Sequence, residues 1–259
     1  MIELAAGDAR ATVDSLGSRL VSMVVRGDEL LVQPGDDPLL SGCYPMVPWA
    51  GRLGSGRFTF DDAERHVPVD HPPHAIHGLG TGAHWQRSGD TSLALELGDR
   101  WPLCGRATTT FDLEPDGLTM TLEFRAGASA APVVLGWHPC FRRRLEPRSS
   151  SAVDLTIDPA AMWQRGSDGL PTGDLVAVPP GPWDDCFIGV SAPPRLRWPG
   201  GPTVELVAPT DTWVVFDERY HAVCVEPQTG PPDAFNLGGA ARLEPGQSVS
   251  LLLSLRWAA

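Results

Sequence analysis

From Leu118 to Arg125 apolar and polar residues alternate without a break, with Leu118, Met120, Leu122 and Phe124 on one side and Thr119, Thr121, Glu123 and Arg125 on the other. A period of two is that of a strand with one buried face. EPDG (Glu114 to Gly117) just before it is a turn signal, and ATTTFDL (Ala107 to Leu113) before that is rich in β-branched residues, so the segment predicts a hairpin. The C-terminus repeats the pattern after an EPGQ turn. There Val249, Leu251, Leu253, Leu255 and Trp257 alternate with mostly Ser or Arg, which predicts a docked strand. The longest run free of Gly and Pro, Thr210 to Glu226, lacks a helical stripe and predicts two strands with a bend near Asp217 to Arg219. The pattern predicts an all-β fold, a large antiparallel β-sandwich, as one domain over residues 1–259.

Composition narrows the chemistry. With 28 Gly and 26 Pro in 259 residues, long helical bundles are excluded. All 20 cationic residues are arginine. Without lysine the protein cannot form a Schiff base, hold pyridoxal phosphate as an internal aldimine, or build a phosphate loop ending in Lys. A formal net charge of −12 argues against nucleic acid or an anionic membrane as partner and leaves a neutral small molecule. Glu3 and Asp8 stand where a signal peptide would be basic, and no apolar run approaches a membrane span, so the expected location is cytoplasmic. The five cysteines, Cys43, Cys104, Cys140, Cys186 and Cys224, are widely spaced with no CxxC pair and read as free thiols.

Four segments place polar groups beside Trp, Pro and aliphatic residues: Tyr44 to Phe58, His74 to Gly80, Leu135 to Arg143 and Cys224 to Asn236. Singly, their histidines read as core imidazoles bonded to backbone and Glu226 as a turn cap. Together, a carboxylate and imidazoles without thiol or lysine chemistry are the ingredients of general acid and base work. His71, His74 and His77 suggest a metal cluster only weakly, since Pro72 and Pro73 forbid the helix that would stack them. The run Arg142, Arg143 and Arg144 reads as solvated surface rather than a phosphate site, because alternate residues of a strand point apart.

In order, PWAGRLGSGRF, IHGL, GWHPCF, WDDCF and CVEPQTGPPDAFN span Tyr44 to Asn236, and with them the chain resembles the aldose 1-epimerase (galactose mutarotase) family in its compact bacterial form. The resemblance implies a mutarotase-like β-sandwich that needs neither cofactor nor metal, and that acts on a small-molecule sugar as a monomer or homodimer. It implies Glu226 as the base that takes the anomeric proton and His138 as the acid at the ring oxygen. His77 is implied as a second histidine near that oxygen, and Arg52 and Asp184 as binders of sugar hydroxyls. Two positions depart from the family pattern: Gly51, where many members have Asn, and Cys140, where an aromatic residue is common. If Trp183 to Ile188 is a strand, Asp184 and Cys186 share the pocket face and Asp185 turns away to solvent. The alternatives are a hexose-6-phosphate 1-epimerase, a glycoside hydrolase pairing Glu226 with Asp184 or Asp233, and a carbohydrate-binding β-sandwich without activity.

Overall fold

The computed structural model describes residues 1–35, 37–145 and 150–258. Two antiparallel sheets carry the fold. The larger has eleven strands and runs, edge to edge, through Ile2–Ala6, Ala9–Asp14, Arg19–Val25, Cys43–Met46, Gly136–Arg142, Ala222–Gln228, Thr212–Phe216, Asp184–Ile188, Ala161–Arg165 and Pro171–Val176, with Asp28–Glu29 appended to Arg19–Val25. The eight-stranded sheet runs through Gln86–Arg87, Ser92–Glu96, Gly105–Glu114, Gly117–Ala126, Ser248–Trp257, Thr203–Val207, Arg195–Arg197 and Asp154–Thr156. Among the described residues the single α-helix is Ala234–Leu237, and no helix is long and apolar enough to cross a membrane.

The hairpin expected from the alternation is Gly105–Glu114 paired with Gly117–Ala126, closed by the EPDG turn where Glu114 faces Gly117. Its apolar side, with Phe111, Leu118, Met120, Leu122 and Phe124, is fully buried. The C-terminal strand docks between this hairpin and Thr203–Val207. The predicted bend separates Thr212–Phe216 from Ala222–Gln228.

The sheets stack face to face because each presents an apolar side to the other. Trp137 of the larger sheet donates from its indole to the Leu251 carbonyl of the smaller at 3.3 Å and meets the Phe111 ring edge-on at 6.1 Å. With Trp137 turned into the core, the period of two sends its neighbour His138 to the opposite face of the same sheet. Val223 and Val225 are buried core residues, and the same rule sends Cys224, Glu226 and Gln228 to that opposite face.

Candidate active site

The register of the central strands assembles the site. Gly136 pairs with Gln228 and Cys140 with Cys224, which sets His138 directly opposite Glu226. His138 pairs on its other side with Tyr44, Glu226 with Val214, and Val214 with Cys186. One rung across five strands therefore reads Tyr44, His138, Glu226, Val214, Cys186. The next rung brings Asp184 beside Phe216, and Phe216 beside Cys224.

Loops roof this face and leave a cavity of about 320 Å³, lined among others by Gly51, Arg52, His77, His138, Trp163, Arg165, Asp184, Glu226 and Gln228. That is the small end of the range for small-molecule pockets. All five residues singled out in the sequence, Arg52, His77, His138, Asp184 and Glu226, line it.

At its floor His138 Nε2 stands 3.1 Å from Glu226 Oε1, with the two side chains 5% and 3% exposed. Gln228 donates to the other carboxylate oxygen at 3.3 Å. Burial pushes the Glu226 carboxyl up to about 7, against the opposing pull of His138. Burial alone would lower the His138 imidazole, but Glu226 first and then Cys140 raise it to about 9. Between these values the carboxylate is ionised and the imidazole protonated, so a proton acceptor and a proton donor stand side by side. His77 is different. Burial, with His138 and Arg52 nearby, holds it well below the usual imidazole range, so it is neutral. Its ring meets His138 edge-on at 4.8 Å, and its Nδ1 is buried with no hydrogen-bond partner among the described residues. Gln228 Oε1 is likewise buried and unpartnered.

Local backbone places the rest. Gly51 has φ +67°, and a Cβ there would lie 2.8 Å from the Pro232 ring, so Pro232 fills the space that a side chain at this position would need. The Gly51 carbonyl accepts from the His77 backbone N–H at 2.9 Å and ties the two loops together. After His77, Gly78 has φ +75° and packs against the Val47 carbonyl, which a Cβ would meet at 2.1 Å. Asp233 accepts from the Gly54 N–H at 2.8 Å and from Asn236 at 2.7 Å, so it shapes the Arg52 loop.

Asp184 is held by two guanidinium groups, Arg52 at 3.2 Å and Arg165 at 3.1 Å. Arg165 also reaches Asp185 through Nε at 3.2 Å, and the Asp185 side chain is only 9% exposed. This corrects the expectation that Asp185 is solvated. A register shift between Trp163 and Arg165 re-aims the arginine, so that it spans carboxylates which strict alternation would separate. Trp163, Arg165, Asp185 and Gln228 were not anticipated as pocket residues. For Gln228 the signal existed, two positions after Glu226 on one strand. Trp163 and Arg165 carried none.

Outside the cavity, His74 spends both ring nitrogens on backbone, Nδ1 accepting from Ser55 N–H at 3.1 Å and Nε2 facing the Asp168 carbonyl at 3.0 Å. It does not share a metal-sized cluster with His71 and His77. The groups whose ligand atoms do converge are His77, His138 and Glu226, and His138, Cys140 and Cys224. The arginine run binds carbonyls. Arg143 donates to Arg219, Asp217 and Ala222, and Arg144 to Ser150 and Tyr220. None of the three lines the cavity.

Comparison with known proteins places this geometry. The chain is 28% identical over 243 residues to uncharacterized protein YphB of Escherichia coli K12, covering 83% of each chain. Its fold matches a crystal structure of a candidate aldose 1-epimerase from Escherichia coli K12 with a TM-score of 0.85, at 24% identity, covering 99% of this chain and 98% of that one. A galactose mutarotase-like protein from Clostridium acetobutylicum matches with the same TM-score of 0.85, at 19% identity, over 99% and 94% of the chains. At these identities the structural likeness speaks to the fold alone. The sequence model of the aldose 1-epimerase family matches residues 1–193, and with that match the chain belongs to the aldose 1-epimerase family.

Proposed function

We propose that the protein is an aldose 1-epimerase (mutarotase), interconverting the α and β anomers of a free aldose by opening and reclosing its ring. The observation that carries this is the buried pair of Glu226 and His138, 3.1 Å apart, with the carboxyl raised to about 7 and the imidazole to about 9. The anomeric hydroxyl and the ring oxygen of a pyranose are bonded to the same carbon, so two groups this close can serve both.

Glu226 takes the proton from the anomeric hydroxyl. The freed electron pair forms the carbonyl, the bond from the anomeric carbon to the ring oxygen breaks, and that oxygen takes its proton from His138. Rotation about the adjacent carbon–carbon bond presents the other face of the aldehyde. On closure His138 takes back its proton and Glu226 returns the other, so both groups regain their starting states. Arg52 and Asp184 hold hydroxyls through charge-assisted bonds, and neutral His77 meets the sugar near the ring oxygen. Gln228 holds the base in place, and Trp163 offers an aromatic wall of the kind that packs against a sugar face.

A carbohydrate-binding protein without activity would share the fold and pocket. Polarimetry on freshly dissolved α-glucose, α-galactose and a panel of common aldoses separates the two. The expected result is equilibration faster than with heat-killed protein for at least one sugar, and no acceleration on any of them would overturn the assignment.

A further inference from the structure

Behind His138, on the side away from the cavity, lies a thiol pair that the reaction above does not use. Cys140 Sγ is 3.4 Å from His138 Nδ1 and 2.9 Å from Cys224 Sγ, and both cysteines are fully buried. The strands explain the closeness. Cys140 spends its backbone N–H on Gly42 and its carbonyl on Val32, both on the side away from Ala222–Gln228. Its pairing with Cys224 is therefore of the non-hydrogen-bonded kind, in which facing side chains come closest.

Directions can be assigned along the chain of contacts. The Leu39 carbonyl, 3.5 Å from Cys140 Sγ, can only accept, so Cys140 donates to it when it carries its proton. Burial would raise the Cys140 thiol, but Cys224 and His138 lower it to about 6, and the thiolate only accepts. In either form the sulfur is an acceptor, open to the Cys224 S–H and to an N–H on His138 Nδ1. We propose that Cys140 is a positioning residue for His138: its sulfur accepts from Nδ1–H and so reserves Nε2, the nitrogen facing Glu226 and the cavity, for proton exchange. When Nε2 gives up its proton, the neutral ring keeps Nδ1–H and exposes a lone pair at Nε2, ready to take the proton back at ring closure. Loss from Nδ1 instead would leave Nε2 protonated and unable to accept. No other side chain around the imidazole can replace this contact, and the further acceptor, the backbone of His138 itself, contributes less than Cys140. Glu226 is at Nε2, Tyr44 stacks on the ring at 4.6 Å with Arg19 over the tyrosine, and His77 meets it edge-on.

The kinetic part of this inference rests on the mutarotase reading, whereas the tautomer does not, so the two are tested separately. Two-bond ¹H–¹⁵N spectra of the full-length labelled protein, with His138 assigned by its loss in His138→Asn, report the tautomer directly at a pH above its titration. Wild type and Cys140→Ser should show Nδ1–H, whereas Cys140→Ala should show Nε2–H or a mixture. Cys140→Val, which also lacks the acceptor but fills more space, carries the same expectation should the alanine variant fold poorly. In the polarimetric assay, Cys140→Ala should lose about tenfold in kcat, well below the ~10⁴ that a wrong tautomer costs in a serine protease triad, because the neutral ring still populates the Nδ1–H form part of the time. KM should stay within about twofold, the alkaline limb of the pH profile should move to lower pH, and serine should restore kcat to within about threefold. A persistent Nδ1–H tautomer in both acceptor-free variants overturns the proposal. So does a lost tautomer with kcat and alkaline limb unchanged. Wild-type protein that fails to mutarotate any aldose refutes the assigned function instead, and the spectra still decide the hydrogen bond.

Discussion

In the eight-stranded sheet, Gly117–Ala126 buries Leu118, Met120, Leu122 and Phe124 and leaves Glu123 and Arg125 exposed. In the eleven-stranded sheet, Ala222–Gln228 is buried at every position. Both strands obey the same alternation. The difference is what covers their second face: water and neighbouring polar side chains in one case, a roof of loops in the other. A polar residue on the first strand keeps its hydration, whereas Glu226 and Gln228 lose theirs and must be paired within the protein. The smaller sheet thus contributes stability through its apolar face, and the larger also maintains a buried carboxylate and imidazole, which well-packed apolar residues would replace without loss of stability. Groups retained in spite of that cost are where chemistry is to be sought.

The contrast breaks most sharply at Glu226. Glu226→Gln keeps shape and removes charge, so turnover should fall by roughly 10² to 10⁴, and the melting temperature should fall with it because His138 loses its buried counter-charge. Polarimetry and thermal unfolding on one sample measure both, and a variant retaining over half of its turnover would make Glu226 a structural residue. Leu253→Ala is the mirror experiment. Leu253 is fully buried in the smaller sheet, so chemical denaturation should show a loss of about 2–5 kcal/mol, with kcat/KM of the folded enzyme within about twofold of wild type. A large kinetic defect there would mean that the two sheets do not divide the work.

Next in size is the carboxylate pair at the cavity wall. Asp184→Asn should weaken sugar binding by about 1.5–3 kcal/mol, read as a rise in KM. Asp185 also lines the cavity but is paired with half-exposed Arg165, and Asp185→Asn should cost less, about 1 kcal/mol. A larger defect in Asp185→Asn would reverse the assignment. The gentlest test is pH. Below about 7 Glu226 binds a proton and cannot accept one, and above about 9 His138 is neutral and cannot donate. Turnover should be greatest between these values and fall roughly tenfold per pH unit outside them. A flat profile from pH 5 to 10 would remove the pair from the mechanism.

The hairpin, the C-terminal strand and the bend after Phe216 were legible in the chain because local alternation and turn residues determine them over short distances. Glu226, His138, His77, Arg52 and Asp184 were legible only as members of family motifs. Local pattern alone left each histidine indistinguishable from a core imidazole, as His74 in fact is a structural histidine. Asp185 was misread because alternation assumes a regular neighbour, and the irregular strand at Trp163 carries Arg165 to it.

By itself, then, the sequence determined the strands, their buried faces, the all-arginine chemistry and the motifs that mark the family, since each depends on residues close together in the chain. Tertiary structure alone decided that His138 faces Glu226 across one rung, that Arg165 bridges two aspartates, that Pro232 occupies the space beside Gly51, and that Cys140 backs the imidazole. Each of these is a meeting of segments distant in sequence, fixed by sheet register and loop closure, and neither quantity is encoded in any local run of residues.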